Sequence, residues 1–250
     1  MNKAKNIDVV GATGMVGKSF LNLLEKEYFQ DSEITLLASA NSAGREINFR
    51  GKIHQVNDLA NHDFSDTDLA LFSAGSSVAS TYAPIAKSQG CVVVDNSSCF
   101  RYTKDIPLIV PEVNSKVLDN FKSPGIIANP NCSTIQMLVA LKPLHDEFII
   151  ERVDVTTFQA VSGTGKKATE ELIDQLEAYR GNKIINSSIY SKPIARVDRG
   201  RLLFIKKCAH EWCKVVSENY RKHASRCKFA LVKLKIQVFV VNENGVELLF

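Results

Sequence analysis

The strongest constraint on the fold is a succession of short, almost uninterrupted apolar runs: IDVVGA (7–12), EITLLAS (33–39), LALFSA (69–74), CVVVDNS (91–97) and GIIAN (125–129). Between them lie helical or loop stretches such as SSVASTYAPIAKSQG. Runs of this kind, alternating with helical segments, predict βαβ units and a doubly wound parallel sheet covered on both faces. The first unit is the clearest. IDVVGA leads through a glycine turn into TGMVGKSFLNLLEKEY, where Val16, Phe20, Leu23 and Leu24 recur at helical spacing. From about Glu151 the pattern changes to ERVDVTTFQAVSG, an alternating strand, followed by the amphipathic helix GKKATEELIDQLEAYRG, which ends at a glycine. The organisation expected is therefore a Rossmann-like α/β domain over residues 1–131 and an α+β domain over 132–250, atypical from about residue 196.

At 250 residues the chain can bury one or two cores, and 45% hydrophobic with 23% charged residues is ordinary globular usage. No window approaches the roughly 18 consecutive apolar residues of a membrane span. The apolar part of MNKAKNIDVVGATG is also too short for a signal peptide. A cytoplasmic protein without a membrane partner is expected. Its six cysteines are scattered and are expected as thiols in a reducing compartment. Charge is uneven: residues 196–235 hold 12 Lys/Arg against 3 Asp/Glu, net +9 in a chain that totals +4. Cys208, Cys213, Cys227 and the single tryptophan, Trp212, fall in the same stretch, which suggests a segment of different origin or role.

Gly11, Gly14 and Gly17 in GATGMVG follow a strand and open a helix, with Thr13, Met15 and Val16 between them. Glycines at such a turn let the backbone approach a pyrophosphate, whose charge sits on the helix N-terminus. The same turn also occurs for packing alone, and only the βαβ context favours a nucleotide. At the end of the second strand, ASANSAGR offers no acid before Glu46 to meet a ribose hydroxyl, so NADP is the expected cofactor.

Cys132 follows Asn129-Pro130-Asn131 and begins CSTIQMLVALKPL. It is expected at or just before a helix N-terminus, where free amides and the helix dipole favour a thiolate. Local sequence leaves two readings open, a nucleophile and a buried, inert thiol.

Six segments in order, GATGMVG, LASANSAG, DNSSCFR, VPEVN, NPNCSTIQ and FQAVSGTGKKA, resemble aspartate-semialdehyde dehydrogenases over residues 7 to about 195. NPNCST separates this family from N-acetyl-glutamyl-phosphate reductases, which have a similar glycine loop but a Pro-Gly-Cys-Tyr context. The resemblance implies NADP-dependent interconversion of L-4-aspartyl phosphate with L-aspartate 4-semialdehyde and phosphate, on the route to lysine, diaminopimelate, threonine and methionine. It implies that Cys132 forms the acyl-thioester, that Gln159 orients substrate, and that Arg101 binds phosphate with Asn96 and Ser97 shaping the same loop. It also implies that Thr13 to Gly17 cradle the pyrophosphate and that Ser162 and Gly163 lie beside the nicotinamide. Asn41 and Ser42 match the cofactor-binding turn after the second strand, although the family commonly has Arg-Ser there, and Arg45 is the nearby cation that could replace the lost charge. A homodimer is the implied assembly.

Beyond SKPIA (191–195) the match thins. The family's glutamate and lysine for substrate and phosphate find only a faint counterpart in HEWCK, as Glu211 and Lys214, and Lys235 and Asn242 fall where an arginine and the general acid/base histidine belong. Asparagine cannot exchange a proton near neutral pH, so activity is expected to be impaired. His210 and His223 are the candidate substitutes. Three accounts of the tail stay open: a damaged gene, a non-catalytic nucleotide-binding or subunit-pairing relative, and a zinc module built from Cys208, His210, Cys213, His223 and Cys227 that contacts nucleic acid. Zinc fits the ligand spacing only in part. A lysine-rich stretch is more often a solvated face than a reader of nucleic acid, and no metal and no nucleic-acid partner are expected.

Overall fold

In a computed structural model, which describes residues 4–150, 153–158, 161–195 and 234–239, the five apolar runs all become parallel strands. Strands β1 (Asn6–Val10), β2 (Glu33–Ala38), β3 (Glu46–Phe49), β4 (Lys52–Asp58), β5 (Leu69–Phe72), β6 (Val92–Asp95) and β7 (Ile126–Ala128) form one sheet in the order β3-β4-β2-β1-β5-β6-β7. All neighbours pair in parallel except the edge strand β3, which is antiparallel to β4. The doubly wound sheet expected from the apolar runs is present, and the antiparallel edge strand is an addition those runs do not announce. EINF alternates polar with apolar residues and KIHQVND carries only two apolar residues, Ile53 and Val56, so neither has the continuous apolar signature of β1, β2, β5, β6 and β7. Arg50 and Gly51 join them in a two-residue turn with φ of 53° and 70°, the left-handed pair such a hairpin demands. Arg50 has a Cβ to strain there. Its guanidinium, however, donates to the carbonyls of Leu24, Phe29 and Ser32 and lies 4.8 Å from the centre of the Phe49 ring.

Alternate residues of β1 feed two cores. Ile7 and Val9 pack with Leu36, Phe49 and the helix α1 (Met15–Leu24) on one face. On the other, Val10 packs with Leu37, Phe64, Phe72 and the alanines 79, 83 and 86 of α2 (Ser76–Ser88). Helices on both faces make the sheet doubly wound. The inward side of α1 carries Gly17, Leu21 and Leu24, with Phe20 half-buried, while Val16 and Leu23 are exposed. Gly17 decides this roll, because a Cβ there would stand 2.2 Å from the Gly11 carbonyl oxygen. Asp8 interrupts β1 as a buried carboxylate, satisfied by the Thr67 hydroxyl at 2.7 Å and His62 Nε2 at 2.7 Å.

The described residues divide into two compact units, 4–135 and 136–195 with 234–239. The short helix α3 (Pro111–Asn114) belongs to the first, and α4 (Cys132–Phe148) begins there. In the second unit Met137 and Leu141 of α4 pack with Ile150 and with Val153 and Val155 of β8 (Val153–Phe158). β8 pairs in parallel with β9 (Leu234–Phe239), bringing Asp154 into register with Lys235.

Helix α5 (Lys166–Arg180) matches its expected span, but its buried row is polar. Ala168, Glu171 and Gln175 face inward while Ile173, Leu176 and Tyr179 are exposed. Glu171 accepts from the Ser188 and Ile189 amides and the Ser188 hydroxyl, and Gln175 accepts from the Ile194 and Ala195 amides. Two side chains thus fasten the following strap, which has no ladder of its own, onto the helix. Gly181 closes α5 at an ordinary φ of −86°, and Asn182, at φ 50°, supplies the left-handed residue.

Candidate active site

Because β1, β2, β5, β6 and β7 run the same way, the turns that follow them emerge along one edge of the sheet. This carboxyl edge is where open α/β sheets bind ligands. At the end of β1, Gly11 has φ 90° and the Ser73 and Ala74 backbone close behind it, a position that favours glycine twice over. Thr13 is half-buried, Gly14, Met15 and Val16 are exposed, and α1 starts at Gly14 with no side chain capping it. A tight glycine turn with uncapped amides at its mouth fits a dinucleotide pyrophosphate. Next to it, Gly75 at φ 88° opens α2, also without a side-chain cap, and the Ser76 and Ser98 hydroxyls meet at 2.9 Å. Sequence reading passed over this second glycine turn, although SAGSS after LALF repeats the strand-glycine-helix pattern of the first. After β2 come Asn41, exposed, and Ser42, half-buried and bonded through its amide to the Ser39 carbonyl. Arg45 is exposed on the same turn.

After β6 the chain folds into a loop organised by Asp95. That buried carboxylate accepts from the Ser97 amide at 3.0 Å and hydroxyl at 2.7 Å, and Ser97 Oγ accepts from the Cys99 amide. Burial pushes the Asp95 carboxyl up, while the Ser97 hydrogen bonds and the Arg101 charge pull the other way. The loop returns Arg101 to the sheet edge. Only 6% exposed, Arg101 donates through Nε to the Asn129 carbonyl at 3.0 Å and through Nη2 towards the Asn96 carbonyl at 3.4 Å. A cation this buried is costly unless its donors are taken up. Asn129 continues β7, with its amide N–H on the Asp95 carbonyl and its side-chain Nδ2 on Asn96 Oδ1 at 2.6 Å.

Three residues later stands Cys132. Asn131 caps α4: its carbonyl accepts from the Ile135 amide and its Oδ1 from the Ser133 amide at 3.1 Å. Cys132 is therefore the first residue of a 17-residue helix and is exposed, with Sγ 3.9 Å from Asn131 Oδ1. The inert, buried alternative describes a different cysteine: Cys91 is fully buried, and burial followed by the Asp8 charge pushes its thiol to about 12.

Cys132, Asn96 and Arg101 thus stand on neighbouring strand ends. Ser162 and Gly163 lie in a 3₁₀ turn (Val161–Thr164) of the second unit. Gln159, Glu211 and Lys214 lie outside the described residues, as do Asn242, the histidines 210 and 223 and the whole suggested zinc cluster. Within the described residues no group of three metal-ligating side chains occurs, and no helix is long and apolar enough to cross a membrane.

Two family profiles match the chain, "Semialdehyde dehydrogenase, NAD binding domain" over residues 6–121 and "Semialdehyde dehydrogenase, dimerisation domain" over 141–199. Aspartate-semialdehyde dehydrogenase of Rickettsia conorii is 39% identical over 252 aligned residues, covering 100% of this chain and 75% of the relative. The chain belongs to the aspartate-semialdehyde dehydrogenase family. Its relative from Legionella pneumophila is 51% identical over 195 residues, 78% of this chain and 56% of the relative. Against three of the most similar family members the chain spans 56–58% of their length. A crystal structure of aspartate semialdehyde dehydrogenase II complexed with ASA from Vibrio cholerae superposes with a TM-score of 0.73 at 40% identity, covering 86% of this chain and 67% of that one. The Candida albicans family member, solved with NADP, gives 0.53 at 31% identity over 64% of this chain and 52% of that one.

Proposed function

We propose that the chain carries the phosphorylating oxidation of L-aspartate 4-semialdehyde, run in the biosynthetic direction as reduction of L-4-aspartyl phosphate. The observation that carries this reading is an exposed Cys132 opening α4, three residues beyond a carbonyl held by a buried arginine. Cys132 Sγ adds to the aldehyde carbon, and after oxidation the acyl group stays on sulfur as a thioester. Arg101, whose planar fork suits phosphate geometry, presents phosphate to that thioester, and attack at the acyl carbon releases the Cys132 thiolate as leaving group. NADP bound at the glycine turn supplies the hydride acceptor. Thr13 to Gly17 hold its pyrophosphate, Asn41 and Ser42 line its ribose, and Arg45 stands in for the family's arginine at the 2′-phosphate. Within residues 132–250, the proposed substrate domain, the family resemblance assigns Ser162 and Gly163 to the cofactor, Gln159 to orienting substrate, and Glu211 and Lys214 to substrate and phosphate.

A homodimer through the second unit accords with the dimerisation profile and with the exposed Ile173, Leu176 and Tyr179 of α5. With Asn242 where relatives have the acid/base histidine, the rate is expected to be about 10²–10⁴-fold below theirs. The test is phosphate-dependent NADP reduction with L-aspartate 4-semialdehyde by the native chain and its Cys132→Ala variant. Cysteine-dependent turnover is the expected result. Equal background from both, in samples that bind NADP, overturns the catalytic reading.

A further inference from the structure

Arg101 and Cys132 belong to different loops, one after β6 and one after β7, and something must set their separation. The last rung of the β6-β7 ladder joins Asp95 to Ala128. Past that rung, Asn129 makes three ties to the neighbouring loop: its amide N–H to the Asp95 carbonyl, its side-chain Nδ2 to Asn96 Oδ1, and its carbonyl oxygen to Arg101 Nε. Pro130 follows and keeps Asn129 extended, so the direction of that carbonyl is set by the chain itself. A guanidinium is planar, so holding its Nε edge and one Nη2 contact fixes where the rest of the fork faces.

The Asn129 carboxamide is also held at a cost. Its Oδ1 is buried without a hydrogen-bond partner among the described residues. An unpaired buried carbonyl is unfavourable, and an apolar side chain of that size would avoid it. What the amide offers in return is the 2.6 Å bond to Asn96, on the loop that carries Arg101.

We infer that Asn129 is a positioning residue: its amide, bonded to Asn96, and its carbonyl, bonded to Arg101, set where the phosphate-binding guanidinium stands relative to the Cys132 sulfur. The inference rests on the proposed role of Arg101 in holding phosphate. Asn129 touches neither substrate nor the reacting atoms. Its loss should appear in phosphate affinity and leave the thiol and the fold in place.

The experiment is alkylation of Cys132 by iodoacetamide in the full chain, titrated with inorganic phosphate, which shields the thiol when held at Arg101. It needs no turnover. In Asn129→Ala the phosphate concentration giving half-protection is expected to rise about five- to tenfold, the loss of one buried hydrogen bond, with the unprotected alkylation rate and the melting temperature close to native. Asn96→Ala should give the same rise. The double variant should add little to either, because both changes remove one bond. Half-protection within twofold of native in folded Asn129→Ala overturns the inference and leaves the proposed function standing. Native protein whose Cys132 phosphate does not protect overturns both. Native protein that is protected but turns over nothing removes the proposed activity alone, and the shift in Asn129→Ala still supports the positioning role.

Discussion

The sheet of the first unit and the α5 strap of the second are held by different physics. Around β1 and β5 the contacts are apolar and large: Phe64 and Phe72 stack at 6.4 Å, and Leu37, Val10 and three alanines of α2 close over them. Beneath the strap, Glu171 and Gln175 take backbone amides of residues 188, 189, 194 and 195, with Val161, Ala168 and Ile194 forming a much smaller apolar cluster. Apolar burial is non-directional and indifferent to pH; carboxylate-to-amide bonding is directional and disappears on protonation. The lesson is that the nucleotide unit should fail only globally, whereas the strap can be released alone.

The largest effect should come from cutting the apolar side of this contrast. Phe72→Ala empties a site only 1% exposed in the middle of the sheet and is expected to cost about 3–5 kcal/mol, read as a lower denaturant midpoint for the sheet, with the strap's protection against hydrogen exchange lost before that transition or within it. If in the native chain the sheet melts while the strap's amides stay protected, the sheet is not the stronger element. Next, Gly17→Ala drives a methyl group against the Gly11 carbonyl and the Ala12 backbone. Overpacking there is expected to cost about 1–3 kcal/mol and to weaken NADP binding more than tenfold by fluorescence titration. NADP affinity unchanged in that variant would mean the glycine turn serves packing only.

A smaller and local effect is expected from Glu171→Gln. Ser188's hydroxyl first, then the Ile189 and Ser188 amides, hold the Glu171 carboxyl below its ordinary value of 4.5. A depressed carboxylate contributes stability that is present above that ordinary value and is lost as pH falls through the folded one. Protection of the Ser188 and Ile189 amides against exchange should therefore hold down to about the ordinary carboxyl value of 4.5 and be lost below it. In Glu171→Gln that protection should be absent throughout, with the sheet amides unaffected. The smallest change concerns reagent access alone: at pH 8 iodoacetamide should label Cys132 and spare Cys91, whose thiol burial holds near 12. Labelling of Cys91 on the same timescale would show that the sheet opens locally after all.

Much of the site was legible in single segments. GATGMVG announced its turn, and Asn131-Cys132-Ser133 announced a helix start, because both depend on residues within a few positions. Arg101 was different. Read locally, SSCFR is a solvated charge; in the fold it is buried, on a carbonyl 28 residues away. Asn129, in the sequence only a near neighbour of Cys132, ties two loops together in the fold. The roll of α1 is not written in its spacing, because apolar spacing marks which residues can be buried, while the Gly11–Gly17 contact selects which are.

By itself the sequence determined the five apolar strands β1, β2, β5, β6 and β7, the glycine turn and the placement of Cys132 at a helix start. Those features follow from periodicity and turn chemistry, which act over a few residues. Only the tertiary structure decided the antiparallel edge hairpin, the burial of Arg101 against Asn129 and the use of Glu171 and Gln175 as fasteners. Each joins groups distant in the chain or buries polar residues, and a pairing across loops leaves no period in the sequence of either partner.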